Sequence, residues 1–144
     1  MRRFIPLALA VAIGACSQPQ APFVDHAYVR LPAVRGNPGV AYFQLHGGAS
    51  AATLRGISSP RIARAELHES MEHGGMTMMA PIGAVAVPAR ATVTFKPGGK
   101  HVMLHGVGTD IAKGATIPLT FTFDGQPPIT IEVPVIGAGD PPPA

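Results

Sequence analysis

The feature that most limits how this chain can fold is the regular interruption of β-prone sequence by glycine and proline. From Phe23 onward the chain is rich in Val, Ile, Thr and Ala, and turn residues recur about every eight to twelve positions. No stretch keeps an apolar i, i+3, i+4, i+7 pattern for more than two helical turns. The pattern predicts many short strands, arranged as an all-β sandwich or a small barrel.

Ten segments fit this strand pattern, and residues 32–39, 96–99 and 124–128 between them carry turn chemistry. The Gly- and Pro-rich residues 137–144 are predicted to be disordered. One folded domain is therefore predicted over residues 23–136. Its predicted strands are Val24–Leu31, Val40–His46, Thr53–Ile57, Arg61–Glu69, Thr77–Pro81, Val85–Val87, Thr92–Phe95, His101–His105, Thr116–Phe123 and Ile129–Val135.

The N-terminus has the layout of a secretory signal. Two arginines precede a twelve-residue apolar stretch, residues 4–15, which is too short to cross a bilayer as a helix. The stretch runs into "IGAC", which resembles the lipobox of bacterial lipoproteins, where the cysteine is lipidated and becomes the new N-terminus. Residues 1–15 are therefore predicted to be a lipoprotein signal peptide, Cys16 the lipidated residue and residues 16–22 a tether. The alternative is ordinary signal cleavage that removes Cys16 or leaves it free.

Charge and cysteine count exclude several classes of function. Without Arg2 and Arg3, nine basic side chains face eight acidic ones, and no Lys/Arg cluster remains, which argues against nucleic acid as a partner. Attachment to a membrane is expected only through lipid at Cys16. Because Cys16 is the only cysteine, the folded part offers no disulfide, thiolate nucleophile or cysteine metal ligand. No Ser/His/Asp set, paired carboxylates or nucleophile elbow supports a hydrolase, and no enzymatic activity is expected.

Histidine and methionine gather on the polar side of two predicted strands. Side chains alternate along a strand, so His68 lies with the charged residues of Arg61–Glu69. In the second strand His101, Met103 and His105 share one face, with neighbouring Cβ atoms about 6–7 Å apart, and the apolar residues between them face the other way. Methionine is normally a core filler. Its predicted place beside two histidines therefore favours a metal site.

The donor types indicate which metal would bind. Thioether sulfur selects Cu(I), whereas zinc and iron sites more often recruit Cys, Asp or Glu. Thiols are prone to oxidation outside the cytoplasm, so a His/Met site keeps binding copper where a cysteine pair would close into a disulfide. A blue-copper electron-transfer site needs a Cys ligand and is not expected. The residues alone leave one alternative, a lipoprotein interaction module with a His/Met-rich surface.

The same residues resemble the motif of the periplasmic copper chaperones of the PCuAC type, His-x10-Met-x21-His-x-Met. In this chain His68 is followed by ten residues and Met79, and then by twenty-one residues, His101, Val102 and Met103. The surrounding "ELHE", "MAPI" and "KPGGKHVML" segments also match, as do "AYVR" at residues 27–30 and "PLTFTF" at residues 118–123.

The resemblance implies a single-domain, cupredoxin-like β-sandwich of Greek-key type that binds one Cu(I) near its surface. The ligands would be His68, Met79, His101 and Met103. It further implies a monomeric periplasmic chaperone that hands copper to a partner, the CuA centre of cytochrome c oxidase, often alongside Sco-type proteins.

Some positions depart from the family pattern. Glu69 follows the first histidine where many relatives carry a methionine, and His105 stands where relatives often carry another methionine. On strand parity His105 lies beside Met103, as an auxiliary ligand or as a group that supports the ligands. The segment between His68 and Met79 adds four candidate ligands for a second copper or a transfer path, and the alternative is a flexible polar loop. These four are Met71, His73, Met76 and Met78.

Overall fold

A computed structural model describes residues 17–144, so the predicted signal peptide and the predicted lipidation of Cys16 lie outside the described residues. Residues 17–144 contain ten strands, and each corresponds to a predicted one. Three have the predicted bounds, Val85–Val87, Thr92–Phe95 and Thr116–Phe123, and the other seven are shifted at one or both ends. No helix among residues 17–144 is long and apolar enough to cross a membrane. The strands are β1 (Phe23–Arg30), β2 (Gly39–His46), β3 (Ala52–Ser58), β4 (Ile62–His73), β5 (Met76–Pro81), β6 (Val85–Val87), β7 (Thr92–Phe95), β8 (Lys100–Val107), β9 (Thr116–Phe123) and β10 (Gln126–Ile136).

The strands form two antiparallel arrays joined at one edge. The first has the order β5-β4-β8-β2-β1, with β7 also paired to β2, and the second has the order β10-β9-β3-β6. A short parallel pairing of β1 with β10, in which Val29 lies opposite Val135, connects the two arrays. The prediction of an all-β domain is confirmed.

The core lies between the inner faces of the two arrays. In β2 buried and half-buried residues alternate along the strand, as expected where one face is covered. Phe43 of β2 stacks on Phe95 of β7, with ring centroids 4.2 Å apart, and meets Phe121 of β9 edge to face at 4.9 Å. Because Phe121 belongs to the second array, this aromatic contact fastens the two sheets face to face.

The β4–β5 hairpin is longer than the sequence predicts. The predicted strand ends at Glu69, but β4 continues to His73 and β5 begins at Met76. Gly74 and Gly75 form the connection with φ values of 59° and 79°, the left-handed conformation that a two-residue type I′ turn requires. The interpretation of this segment as a flexible polar loop is therefore wrong. The two strands continue past the end of the hydrophobic alternation, because backbone pairing and the Gly-Gly turn hold them together without buried apolar side chains.

The end of the folded part also differs from the prediction. The carbonyl oxygens of Gly137, Ala138 and Asp140 accept hydrogen bonds from Nη1 of Arg30 at 3.3, 2.9 and 2.7 Å. The Asp140 carboxylate in turn accepts the backbone N–H of Gly137 at 2.7 Å. The packed chain thus extends four residues past the predicted boundary at residue 136, and the disorder of residues 141–144 stays a prediction.

Candidate metal site

Pairing of β4 with β8 brings two histidines together on the outer face of the first sheet. His68 lies directly opposite His101 in the register, and their ring centroids are 5.7 Å apart. The neighbouring pair, Leu67 opposite Val102, is buried in the core. Since side chains alternate between faces, burial of Leu67 and Val102 places both imidazoles on the opposite face.

Each imidazole keeps one buried nitrogen without a hydrogen-bond partner. His101 is only 5% exposed, and its Nδ1 lies 2.9 Å from the carbonyl oxygen of Gly99. A carbonyl oxygen only accepts, so Nδ1 carries the proton and Nε2 holds a free lone pair. Nε2 of His101 and Nδ1 of His68 are both buried and unpaired. An unpaired buried polar atom costs about 1–3 kcal/mol, and a metal ion bound by both lone pairs would remove that cost.

Glu66 fixes the proton of His68, a role that the sequence interpretation missed. Its Oε2 lies 3.3 Å from Nε2 of His68 and 3.2 Å from Nε2 of His105. Hydrogen bonds from His68 and His105 hold the pKa of Glu66 below its ordinary value. With the proton on Nε2 of His68, the lone pair is left on the unpaired Nδ1. The available signal was parity, since Glu66 and His68 are two residues apart on one strand.

Met103 lies beside the histidine pair on the same face. It is opposite Glu66 in the register, two residues along each strand from the His68–His101 pair. Its side chain is half-buried, whereas its neighbours Val102 and Leu104 are fully buried. The predicted alternation along β8 is therefore confirmed. The structure places one thioether next to the two imidazoles.

Met79 lies on the other side of the same pair. It is opposite Ser70, whereas His68 is opposite Pro81, and its side chain is 56% exposed. A step of two residues along a strand is about 7 Å, so Met79 and Met103 are displaced in opposite directions from the imidazoles. For both thioethers to bind one ion, the end of the hairpin or the Met79 side chain has to move toward the histidines.

The remaining candidate donors divide between two positions. His105 is on the same face as Met103 but hydrogen-bonds to Glu66 at 3.2 Å, and its role as an auxiliary ligand stays a prediction. The four candidates of the hairpin lie on the opposite face from Met79, because they alternate with it along the two paired strands. The structure therefore does not bring them to the histidine pair. They are Met71, His73, Met76 and Met78.

Two other histidines have structural partners. His46 bonds to the Asp25 carboxylate through Nε2 at 2.8 Å and to the Thr92 hydroxyl through Nδ1 at 2.9 Å, and its ring stacks on Phe23. His26 lies 3.0 Å from the same carboxylate. Partial burial raises the pKa of Asp25, but the contacts with His26 and His46 outweigh it and the net pKa is lowered. Across residues 17–144, no three His, Cys, Asp or Glu side chains are placed to hold a metal ion.

Comparison with known proteins shows which family the sequence of this chain matches. Residues 23–135 match the family described as Putative lipoprotein LpqE-like. "Putative lipoprotein Lxx21020" of Leifsonia xyli subsp. xyli is 30% identical over 89 residues, which are 61% of this chain and 54% of that protein. The match thus spans about half the length of that relative.

Solved structures share the fold. The copper-bound PCuAC domain from PmoF2 superposes with a TM-score of 0.68 at 20% identity, over 84% of this chain and 97% of that domain. The solution structure of Cu(I)-DR1885 from Deinococcus radiodurans gives a TM-score of 0.66 at 25% identity, over 86% of this chain and 83% of that one. These similarities confirm the predicted cupredoxin-like β-sandwich.

Proposed function

Because the chain belongs to the LpqE-like family and has the β-sandwich of the PCuAC domains, we propose that it is a copper chaperone with no enzymatic activity. It binds one Cu(I) at the histidine pair of β4 and β8 and passes the ion to a partner protein. The proposed ligands are His68, His101, Met103 and Met79.

The observation that carries this proposal is the pair of buried, unpaired imidazole nitrogens. Nδ1 of His68 and Nε2 of His101 lie on neighbouring strands, and in each ring the other nitrogen faces a hydrogen-bond acceptor, Glu66 or Gly99. A metal-binding histidine is commonly oriented in this way, with one ring N–H held by a carboxylate or carbonyl and the other nitrogen left for the ion. The arrangement supports binding of a metal that accepts neutral imidazole.

The thioethers favour Cu(I) over other ions. Met103 lies next to the pair, and sulfur of this type is a soft donor that suits Cu(I). Met79 is exposed and displaced from the histidines. A ligand in that position suits transfer, because an incoming donor of the partner can replace it while the other three still hold the ion.

The N-terminal sequence and the family description support a proposal for where the chaperone is located. The chain is proposed to be a lipoprotein, held at a bacterial membrane in the periplasm by lipid on Cys16 after removal of residues 1–15. The description of the family and the name of the Leifsonia relative as lipoproteins support this. The proposed recipient is the CuA centre of cytochrome c oxidase, directly or through a Sco-type protein, and the proposed chaperone is a monomer.

Titration with Cu(I) under reducing conditions tests the proposal. We expect a 1:1 complex at the histidine pair, and we expect the Met79→Leu/Met103→Leu double variant to bind at least about tenfold more weakly, because leucine keeps the volume of methionine and removes the sulfur. X-ray absorption at the copper edge should then show sulfur scattering that decreases in the double variant.

Two outcomes would contradict the proposal. Binding no tighter than about micromolar, a free energy of about −8 kcal/mol, would exclude a copper chaperone and favour the interaction module. Unchanged affinity in the double variant would exclude the two thioethers as ligands.

Copper affinity should also depend on pH. Protons compete with copper for the imidazole nitrogens, and an ordinary histidine takes up a proton near pH 6.5. We expect the apparent affinity to fall steadily as the pH is lowered through this range, as measured with a competing chelator at each pH. An affinity that is unchanged down to about pH 4.5 would exclude both histidines as ligands.

A further inference from the structure

The β4–β5 hairpin carries a second group of soft donors on the face that the proposed copper site does not use. Met71 lies directly opposite Met78, and His73 directly opposite Met76. Met79 and His68 belong to the other face, because neighbouring residues on a strand alternate. We call Met71, His73, Met76 and Met78 the hairpin cluster.

The hairpin cluster continues the core-facing side of β4 beyond the end of the sandwich. On that side Leu67 is buried, and the next position, Glu69, forms an ion pair with Lys100 at 2.9 Å. Past this ion pair the core-facing side meets solvent. Three thioether side chains are exposed there, Met71 by 51%, Met78 by 56% and Met76 by 69%.

The spacing of the hairpin cluster suits a single ion. Directly opposite residues of an antiparallel pair have Cα atoms about 4.5–5.5 Å apart, and successive residues on one face are about 7 Å apart. Four donors thus stand at the corners of a rectangle that the long, flexible methionine side chains can close. The Gly74-Gly75 turn, at the solvent-exposed tip of the hairpin, holds the two strands in register.

The donor chemistry selects a soft monovalent cation. Three thioethers and one imidazole are available, and no carboxylate belongs to the hairpin cluster, because Glu69 is paired with Lys100 and Glu72 lies on the other face. Such a set suits d10 ions such as Cu(I) and Ag(I) and offers little to a hard divalent ion.

We propose that the hairpin cluster is a second binding site for a soft monovalent cation, on the opposite face of β4 from the histidine pair. Its donors are all different from those of the proposed copper site, so it does not depend on that site.

Silver titration of the protein labelled with ¹³C at the methionine methyl groups tests this proposal. Ag(I) is a redox-stable soft ion, and each methionine gives its own methyl signal. We expect two silver ions per chain, with the methyl signals of Met71, Met76 and Met78 shifting in a step separate from those of Met79 and Met103. Because this experiment uses the unaltered chain, it does not depend on the folding of a variant.

Paired variants separate the two sites. Met71→Leu/Met78→Leu should reduce the silver stoichiometry from two to one and leave the step seen by Met103, whereas Met103→Leu should leave the step seen by Met71 and Met78. If the Met71, Met76 and Met78 signals do not move with three equivalents of silver, the hairpin cluster is not a cation site, and the proposed copper site is unaffected by that result. If silver shifts only these three signals, the hairpin cluster stands and the histidine-pair proposal fails. Two ions bound by Met71→Leu/Met78→Leu would also overturn the second site.

Discussion

Replacement of His101 with alanine is expected to weaken Cu(I) binding by about 100-fold or more, because loss of a group that merely supports a metal ligand already costs about 10–100-fold. His101 is buried, its Nδ1 proton is held by Gly99, and its Nε2 has no partner in the protein. It is the residue of β8 that lies directly opposite His68 in the register. The measurement is competition with a Cu(I) chelator at neutral pH, together with circular dichroism to check that the variant is folded.

A matched control is His26→Asn. His26 adopts a φ of 50°, which asparagine tolerates better than most residues. Its side chain contacts Asp25 and lies outside the proposed copper site. This variant should bind Cu(I) like the parent protein. If His101→Ala also keeps the parent affinity, the histidine pair is not the copper site.

Replacement of Phe43 with alanine is expected to lower the free energy of unfolding by about 3–5 kcal/mol. The Phe43 ring is fully buried and contacts Phe95 in its own sheet and Phe121 in the facing sheet. Its removal leaves a cavity at the centre of the sandwich and also removes two aromatic contacts. With no cysteine in residues 17–144, no disulfide offsets this loss.

Urea unfolding monitored by circular dichroism measures the effect. The control is Val34→Ala, at a position that is 62% exposed, where the change should stay within about 0.5 kcal/mol. A loss below about 1.5 kcal/mol for Phe43→Ala, the range of a mere Ile→Val change, would mean that the contact between the sheets is not central to the stability of the fold.

The strands could be predicted from the sequence because the information is local. Alternation of apolar and polar residues and the recurrence of glycine and proline locate all ten strands. The same alternation along β8 places His101, Met103 and His105 on one face. The end of β4 could not be found in this way, since the strand continues to His73 through pairing with β5 rather than through hydrophobic pattern.

The candidate site could be predicted only in part. Spacing and resemblance select His68, Met79, His101 and Met103, but they do not show that Met79 and Met103 lie on opposite sides of the imidazoles. They also miss Glu66, whose carboxylate contacts His68 on its own strand and reaches His105 only when β4 and β8 are paired. The position of Met79 depends on the register of the β4–β5 hairpin. The positions of Met103 and His105 depend on the register of β4 with β8, which pairs residues more than thirty positions apart in the sequence.

The sequence by itself determined which donor atoms this protein has and which side chains share a face within each strand. It supplies histidine and methionine and leaves residues 17–144 without a thiol. Only the tertiary structure decided that His68 meets His101 and that the hairpin methionines divide between two faces. The physical reason is that alternation repeats every two residues along one chain, whereas register is set by burial of distant partners such as Leu67 and Val102. A slip of one residue would turn every donor of β4 to the other face.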